Sequence, residues 1–185
     1  MNSYRLFLES ALILMSIDLI LFDRDGTLNK RVVDGYVLNH SQLAFPTDIS
    51  SLSQIKCKNV ALVTNQSCIG KGLATSEDIS TLNQSFQVFF SPSSNFQVFV
   101  CPHLPSERCG CRKPNSGLLV EALHHFDVEA KNTIFVGDSK SDFQAAHSLD
   151  IAFIGVCWDA SCWSLNCLHT IENVVSFVNE SYRQP

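Results

Sequence analysis

The stretch Leu19-Ile20-Leu21-Phe22-Asp23-Arg24-Asp25-Gly26-Thr27-Leu28-Asn29 constrains the fold more than any other. Four apolar residues run without alternation into two acids spaced two apart. An unbroken apolar run of this length fits a parallel strand covered on both faces, and Gly26 permits a sharp turn just beyond it. Open α/β sheets hold their ligands at the carboxyl ends of such strands. Two carboxylates there repel each other unless a cation or a shared proton lies between them, so this turn is expected to carry chemistry. A calcium loop is the competing reading, but an EF-hand loop needs its glycine at the sixth position, and here glycine directly follows the second acid.

Further apolar runs alternate with helical patterns. Strands are expected over 17–22, 59–64, 96–100, 133–136 and 151–156. Between them fall a surface flap over 30–45 with turn and hairpin signals at Gly35-Tyr36-Val37 and a helix over 47–56 capped by Thr47 or Asp48. A helix opening at Thr75-Ser76-Glu77-Asp78 and one capped by Ser116 follow, then one through Ala145-Ala146 and a last over 170–179. This alternation predicts an α/β fold, a single doubly wound parallel sheet with helices on both faces. Polar or acidic clusters end three of the strands, at Asp23, Thr64 and Asp138, and such a sheet gathers those ends on one edge. Asp142 is either a second acid near a bound metal or merely an early helix carboxylate.

At 185 residues the chain suits one domain with a proper core. A net charge of −5 gives no basic surface for nucleic acid, although a few cations and backbone donors suffice to bind a phosphate locally. Residues 1–14 contain short apolar runs broken by Glu9, with only Arg5 ahead and no small-residue cleavage site. They are too short to span a bilayer and are not expected to act as a signal peptide. Met15 stands where a compact domain would begin, so the domain is expected over 15–185, with 1–14 an upstream extension or a loosely docked segment. Of eight cysteines, Cys101, Cys109 and Cys111 fall close together beside His103. Four such ligands suit a closed, tetrahedral and therefore structural Zn²⁺ site on a short hairpin, with disulfides as the alternative. A thiol cluster of this kind points to a reducing, cytoplasmic setting. Cys157, Cys162, Cys167 and His169 do not have a zinc spacing, and the thiols are expected to pack as small apolar groups, as is that of Cys57.

Phe22-Asp23-Arg24-Asp25-Gly26-Thr27-Leu28, Val63-Thr64-Asn65-Gln66, Arg112-Lys113-Pro114 and Val136-Gly137-Asp138, in this order, resemble the haloacid dehalogenase superfamily of phosphatases. Cys101-Pro102-His103 with Cys109-Gly110-Cys111 resembles its zinc-binding branch, which contains D-glycero-D-manno-heptose 1,7-bisphosphate 7-phosphatases and histidinol-phosphate phosphatases. The resemblance implies Asp23 as a nucleophile forming an aspartyl-phosphate and Asp25 as general acid and base. It further implies Lys113 and Thr64 on the transferring phosphoryl group, and Mg²⁺ on Asp23, the Asp25 backbone carbonyl and Asp138. Asn65, Gln66, Ser67 and Arg112 would contact the substrate.

No cap-sized insert fits between these motifs, so loops must set specificity. Residues 65–72 and the flap resemble the heptose bisphosphate enzymes, whereas the short zinc loop is also similar to histidinol-phosphate phosphatases. A monomer acting on a small phosphorylated metabolite, a sugar bisphosphate, is expected, without nucleic-acid or membrane partners. Histidinol phosphate and a non-catalytic zinc-binding relative are the alternatives. Three departures bear on the substrate. Cys68 replaces a usual glycine, Ser139 a frequent lysine, and Thr47 the usual glycine after Pro46.

Overall fold

The computed structural model describes residues 16–157 and 167–181. Six strands, β1 (Leu19–Phe22), β2 (Asn59–Asn65), β3 (Asn95–Cys101), β4 (Thr133–Gly137), β5 (Ala152–Val156) and β6 (Cys167–Leu168), form one sheet in the order β3-β2-β1-β4-β5-β6. Every pairing is parallel. The chain builds outward from β1 on one side and then returns to place β4 on the other, where Phe22 is in register with both Leu62 and Val136. The reversal of direction opens a crevice at the carboxyl ends of β1 and β4, the usual ligand position in such sheets.

Among the described residues, five α-helices accompany the strands: α1 (Ser67–Gly70), α2 (Ser76–Gln84), α3 (Gly117–Phe126), α4 (Lys140–His147) and α5 (Ile171–Ser181). All four β1 side chains are buried because alternate residues serve opposite faces of the sheet. Ile20 and Phe22 join the core that holds Ile171, Val174, Val175 and Val178 of α5, and Leu19 and Leu21 join the one that holds Leu118, Leu119 and Ala122 of α3. A third cluster seats Val37 of the flap on Cys68, Ile79 and Leu82. Cys57 is buried as expected, and burial pushes its thiol up to about 12.

Some local expectations are corrected. The segment read as an α-helix over 47–56 is a 3₁₀-helix, Ile49–Gln54, that buries only Ile49 and Leu52. Asp48 does not cap it through its side chain; its Oδ2 instead accepts from the Glu172 backbone N–H at 2.9 Å, capping α5 from 124 positions away. The flap forms no hairpin. Lys30 N–H bonds to the Ala44 carbonyl at 2.7 Å, and Asn39 caps a single 3₁₀ turn, His40–Gln42. The turn at Cys68 needs no left-handed backbone, since Cys68 is a buried residue of α1, so replacing glycine there carries no strain. Cys157, expected to be a packed thiol, is disulfide-bonded. Residues 1–14 and Cys162 lie outside the described residues. Among those described, no helix is long and apolar enough to cross a membrane.

Candidate active site

Beyond β1 the chain folds back on itself at once. The Thr27, Leu28 and Asn29 N–H groups all bond to the Arg24 carbonyl, and Gly26 adopts φ +93°. A Cβ at Gly26 would stand 1.9 Å from Asp138 Oδ2, so only glycine lets the β4 carboxylate close on this turn. Asp23, Asp138 and Asp142 then offer one oxygen each within 4.8 Å of one another.

Lys113 enters this acidic cluster from below. Its ammonium donates to Asp23 Oδ1 at 2.7 Å and to the Val63 carbonyl at 2.8 Å, and it pairs with Asp142 Oδ1 at 2.7 Å. Burial alone would lower its pKa; the Asp142 and Asp23 charges outweigh that and hold it above the ordinary lysine value. The carboxylates gain less from the pairing. Burial raises Asp23 to about 6 despite Lys113, with the Asp142 charge adding to the rise. Burial and the Asp23 charge raise Asp138 to about 7, opposed by Arg31. Arg31 Nη2 donates both to the Asp25 carbonyl at 3.2 Å and to Asp138 Oδ1 at 3.1 Å, so these oxygens converge on one point where a cation can sit. Crowded, desolvated carboxylates plus a backbone carbonyl make an oxygen donor set of the kind a hard divalent cation takes.

Asp25 turns away from that cluster. Its Oδ2 accepts from Arg24 Nε at 3.1 Å, Arg24 Nη2 at 2.8 Å and Gln66 Nε2 at 2.9 Å; its Oδ1 accepts from Asn29 Nδ2 at 3.0 Å. Gln66 Nε2 also donates to Thr64 Oγ1 at 2.8 Å.

Asp23, Asp25, Thr64, Asn65, Ser67, Arg112 and Lys113 all line one cleft of about 590 Å³. Gln66, expected to contact substrate, is instead fully buried behind the cleft, its amide occupied by Asp25, Thr64 and Arg24. Asn65 faces the cleft and also clasps Lys113, accepting from its N–H and donating to its carbonyl, each at 3.1 Å. Asp142 is an early helix carboxylate, forming a capping box with Ser139 at the start of α4, and it also lies in the acidic cluster, paired with Lys113. Tyr36 of the flap and Lys71 of the 65–72 stretch border the cleft, with Lys71 Nζ 5.2 Å from the Tyr36 ring centre, and Arg31, which no motif singled out, joins them. The Lys71 and Ser67 hydrogen bonds lower the Tyr36 pKa.

Beside the cleft, Cys101, His103, Cys109 and Cys111 converge. The three thiols lie 3.3–3.6 Å apart, and His103 Nδ1 lies 3.6 Å from Cys101 Sγ and 3.2 Å from Cys111 Sγ. Ligands on a tetrahedral Zn²⁺ stand roughly 3.5–3.8 Å from one another, so the set fits that ion. The three cysteines are free thiols, which excludes disulfides among them. Burial, reinforced by its two neighbouring thiols, pushes Cys111 up to about 12, and burial raises Cys101 as well. Only a bound cation would hold all three as thiolates.

Residues 60–156 match the family model for haloacid dehalogenase-like hydrolases. The chain is 37% identical over 146 residues to the D-glycero-alpha-D-manno-heptose-1,7-bisphosphate 7-phosphatase of Mycobacterium tuberculosis, covering 75% of each. It is 36% identical over 143 residues to the histidine biosynthesis bifunctional protein HisB of Blochmanniella floridana, covering 72% of this chain but 40% of that longer protein. Among solved structures, the D,D-heptose 1,7-bisphosphate phosphatase of B. bronchiseptica, complexed with magnesium and phosphate, superposes with a TM-score of 0.74 at 23% identity. That alignment covers 88% of this chain and 98% of the other. With its strand-end carboxylates gathered on one sheet edge and more than half of its length matched by the family model, this chain belongs to the haloacid dehalogenase-like hydrolases.

Proposed function

We propose that this protein is a Mg²⁺-dependent phosphomonoester hydrolase that removes the 7-phosphate of D-glycero-D-manno-heptose 1,7-bisphosphate through an aspartyl-phosphate on Asp23. The observation that carries this reading is the partition of the two acids: Asp23 lies among cation-binding groups, and Asp25 lies in a separate set of donors. Lys113 occupies Asp23 Oδ1, leaving Oδ2 to attack phosphorus. The P–O ester bond breaks as Asp25 gives its proton to the leaving alkoxide. Water then attacks the aspartyl-phosphate, Asp25 takes a proton from it, and phosphate leaves with Asp23 restored. Lys113 neutralises charge on the phosphoryl group as it transfers, and Thr64 donates its hydroxyl to it. Asp23, the Asp25 carbonyl and Asp138 would hold Mg²⁺, which when bound supplies further neutralisation of that charge.

The rim suits a substrate with two phosphate groups, since Arg31, Lys71 and Arg112 all border the cleft. Cys101, His103, Cys109 and Cys111 would hold a structural Zn²⁺, and the cytoplasm is the setting we infer. Histidinol phosphate is the second reading, favoured by the similarity to HisB. The test is kcat/KM for both esters. A preference of at least about tenfold for the heptose bisphosphate is expected, since one fewer charge-assisted contact costs about 1.5–3 kcal/mol; a preference for histidinol phosphate overturns the substrate assignment.

The raised carboxylates also predict how metal-free protein responds to pH. Asp23 at about 6 and Asp138 at about 7 bind protons in the folded state that the unfolded chain, with its carboxylates near 3.8, has already released. The folded state therefore holds more protons between those values, and stability falls as pH rises through that window. Without metal, Tm should drop from pH 5 to pH 7.5; Mg²⁺ should remove most of the drop. A metal-free Tm that rises over this range would contradict the crowding of these carboxylates.

A further inference from the structure

Arg24, between the two motif acids, is completely buried, and no catalytic step so far uses it. A buried guanidinium costs several kcal/mol unless its donors are satisfied, and this one spends them on very particular acceptors. Beyond its two bonds to Asp25 Oδ2, Nη1 donates to Asn83 Oδ1 at 2.9 Å, and Nη2 donates to the Val37 carbonyl at 3.3 Å and to Gln66 Oε1 at 3.0 Å.

A guanidinium can only donate. Its contact with Gln66 therefore sets which end of that amide is oxygen: Oε1 faces Arg24, and the NH₂ faces Asp25 Oδ2 and Thr64 Oγ1. Two consequences reach the cleft. Thr64 Oγ1 accepts from Gln66, so its one hydroxyl hydrogen is left for an acceptor in the cleft. Asp25 Oδ2 already receives three donors and has no room for a proton. Oδ1 receives one, from Asn29, and keeps a lone pair.

We propose that Arg24 and Gln66 are positioning residues that saturate Asp25 Oδ2, reserve Oδ1 as the atom that gives and takes the proton, and orient the Thr64 hydroxyl toward the phosphoryl group. This rests on the acid/base role proposed above for Asp25. The guanidinium also holds the flap through Val37, so the position of the flap and the orientation of the acid share one anchor.

The test exploits the leaving group. p-Nitrophenolate departs without a proton, whereas a sugar or alkyl alkoxide needs one, and kcat/KM ends at alcohol release and so isolates this step. Arg24→Lys keeps the charge but loses the fork, and Gln66→Met keeps the volume but loses the amide. For each, the ratio of kcat/KM for the alkyl ester to that for p-nitrophenyl phosphate should fall at least about tenfold. The alkyl ester is heptose 1,7-bisphosphate or histidinol phosphate, whichever the wild type hydrolyses faster. Changes affecting Thr64 or general packing weaken both esters alike and cancel in that ratio. Asp25→Asn is the reference. If it lowers the ratio and neither positioning variant does, this inference falls while the acid/base role stands; if it leaves the ratio unchanged, both fall. Should Arg24→Lys fail to fold, Gln66→Met carries the same expectation.

Discussion

Asp23→Asn should reduce Mg²⁺-dependent phosphate release by at least about 10⁴-fold, the scale on which a covalent nucleophile is missed. The substitution is isosteric, so the loss should not come from folding. Asp23 is buried beside Asp138 and Asp142, and its carboxyl is pushed up to about 6. A neutral amide removes one of these crowded charges, and Lys113 keeps Asp142 as a partner. Tm at neutral pH should therefore be unchanged or higher. Phosphate release and thermal unfolding measured on the same preparation check both halves. Turnover within about a hundredfold of wild type would place the nucleophile elsewhere.

Removal of the Zn²⁺ proposed for Cys101, His103, Cys109 and Cys111 should have the second largest effect, and of a different kind. Structural Zn²⁺ sites commonly contribute about 10 kcal/mol or more of apparent binding energy to the segment they close. Here that segment runs from Cys101 at the end of β3 to Cys111, two residues before Lys113. The core under α5 contains none of these residues, and the core under α3, which includes Cys101 with Cys109 and Cys111 packed against it, is built largely from others, so the sheet should survive. Lys113 should lose part of its fixed approach to Asp23, although the Asn65 clasp still holds its backbone. Chelation is expected to expose the Cys101, Cys109 and Cys111 thiols to alkylation and to lower kcat at least about tenfold, while the far-ultraviolet dichroism of the sheet and helices persists. Unchanged turnover in protein shown by metal analysis to be free of zinc would remove the supporting role assigned to the site.

Elements were legible wherever burial on both faces forces an unbroken apolar run, as in Leu19–Phe22 and Thr133–Gly137. Legibility failed where side chains answer to distant partners. Asp48 looked like a cap of its own segment, yet its side chain serves α5, and the segment itself is a 3₁₀-helix. The two-residue strand β6 has too few side chains to show a period. In the cleft, the paired acids stood out because like charges at the end of an apolar run need a reason, whereas Lys113 was legible only through the resemblance of Arg112-Lys113-Pro114 to a family motif. Gln66 was read as a substrate contact because it follows Thr64 and Asn65, but the turn into α1 buries it behind the site.

The sequence by itself determined the α/β order, the carboxylates at the strand ends and the thiol–imidazole set, because strand burial and ligand spacing are local properties of a chain. Only the tertiary structure decided that Asp23 and Asp25, two residues apart, belong to different networks. Asp23 meets Lys113 from 90 positions away, whereas Asp25 meets Gln66 from 41 positions away, with Arg24 tied to Asn83 behind it. These donors come together only once β1 is seated between β2 and β4. No local pattern can encode which oxygen of a carboxylate a distant donor will occupy.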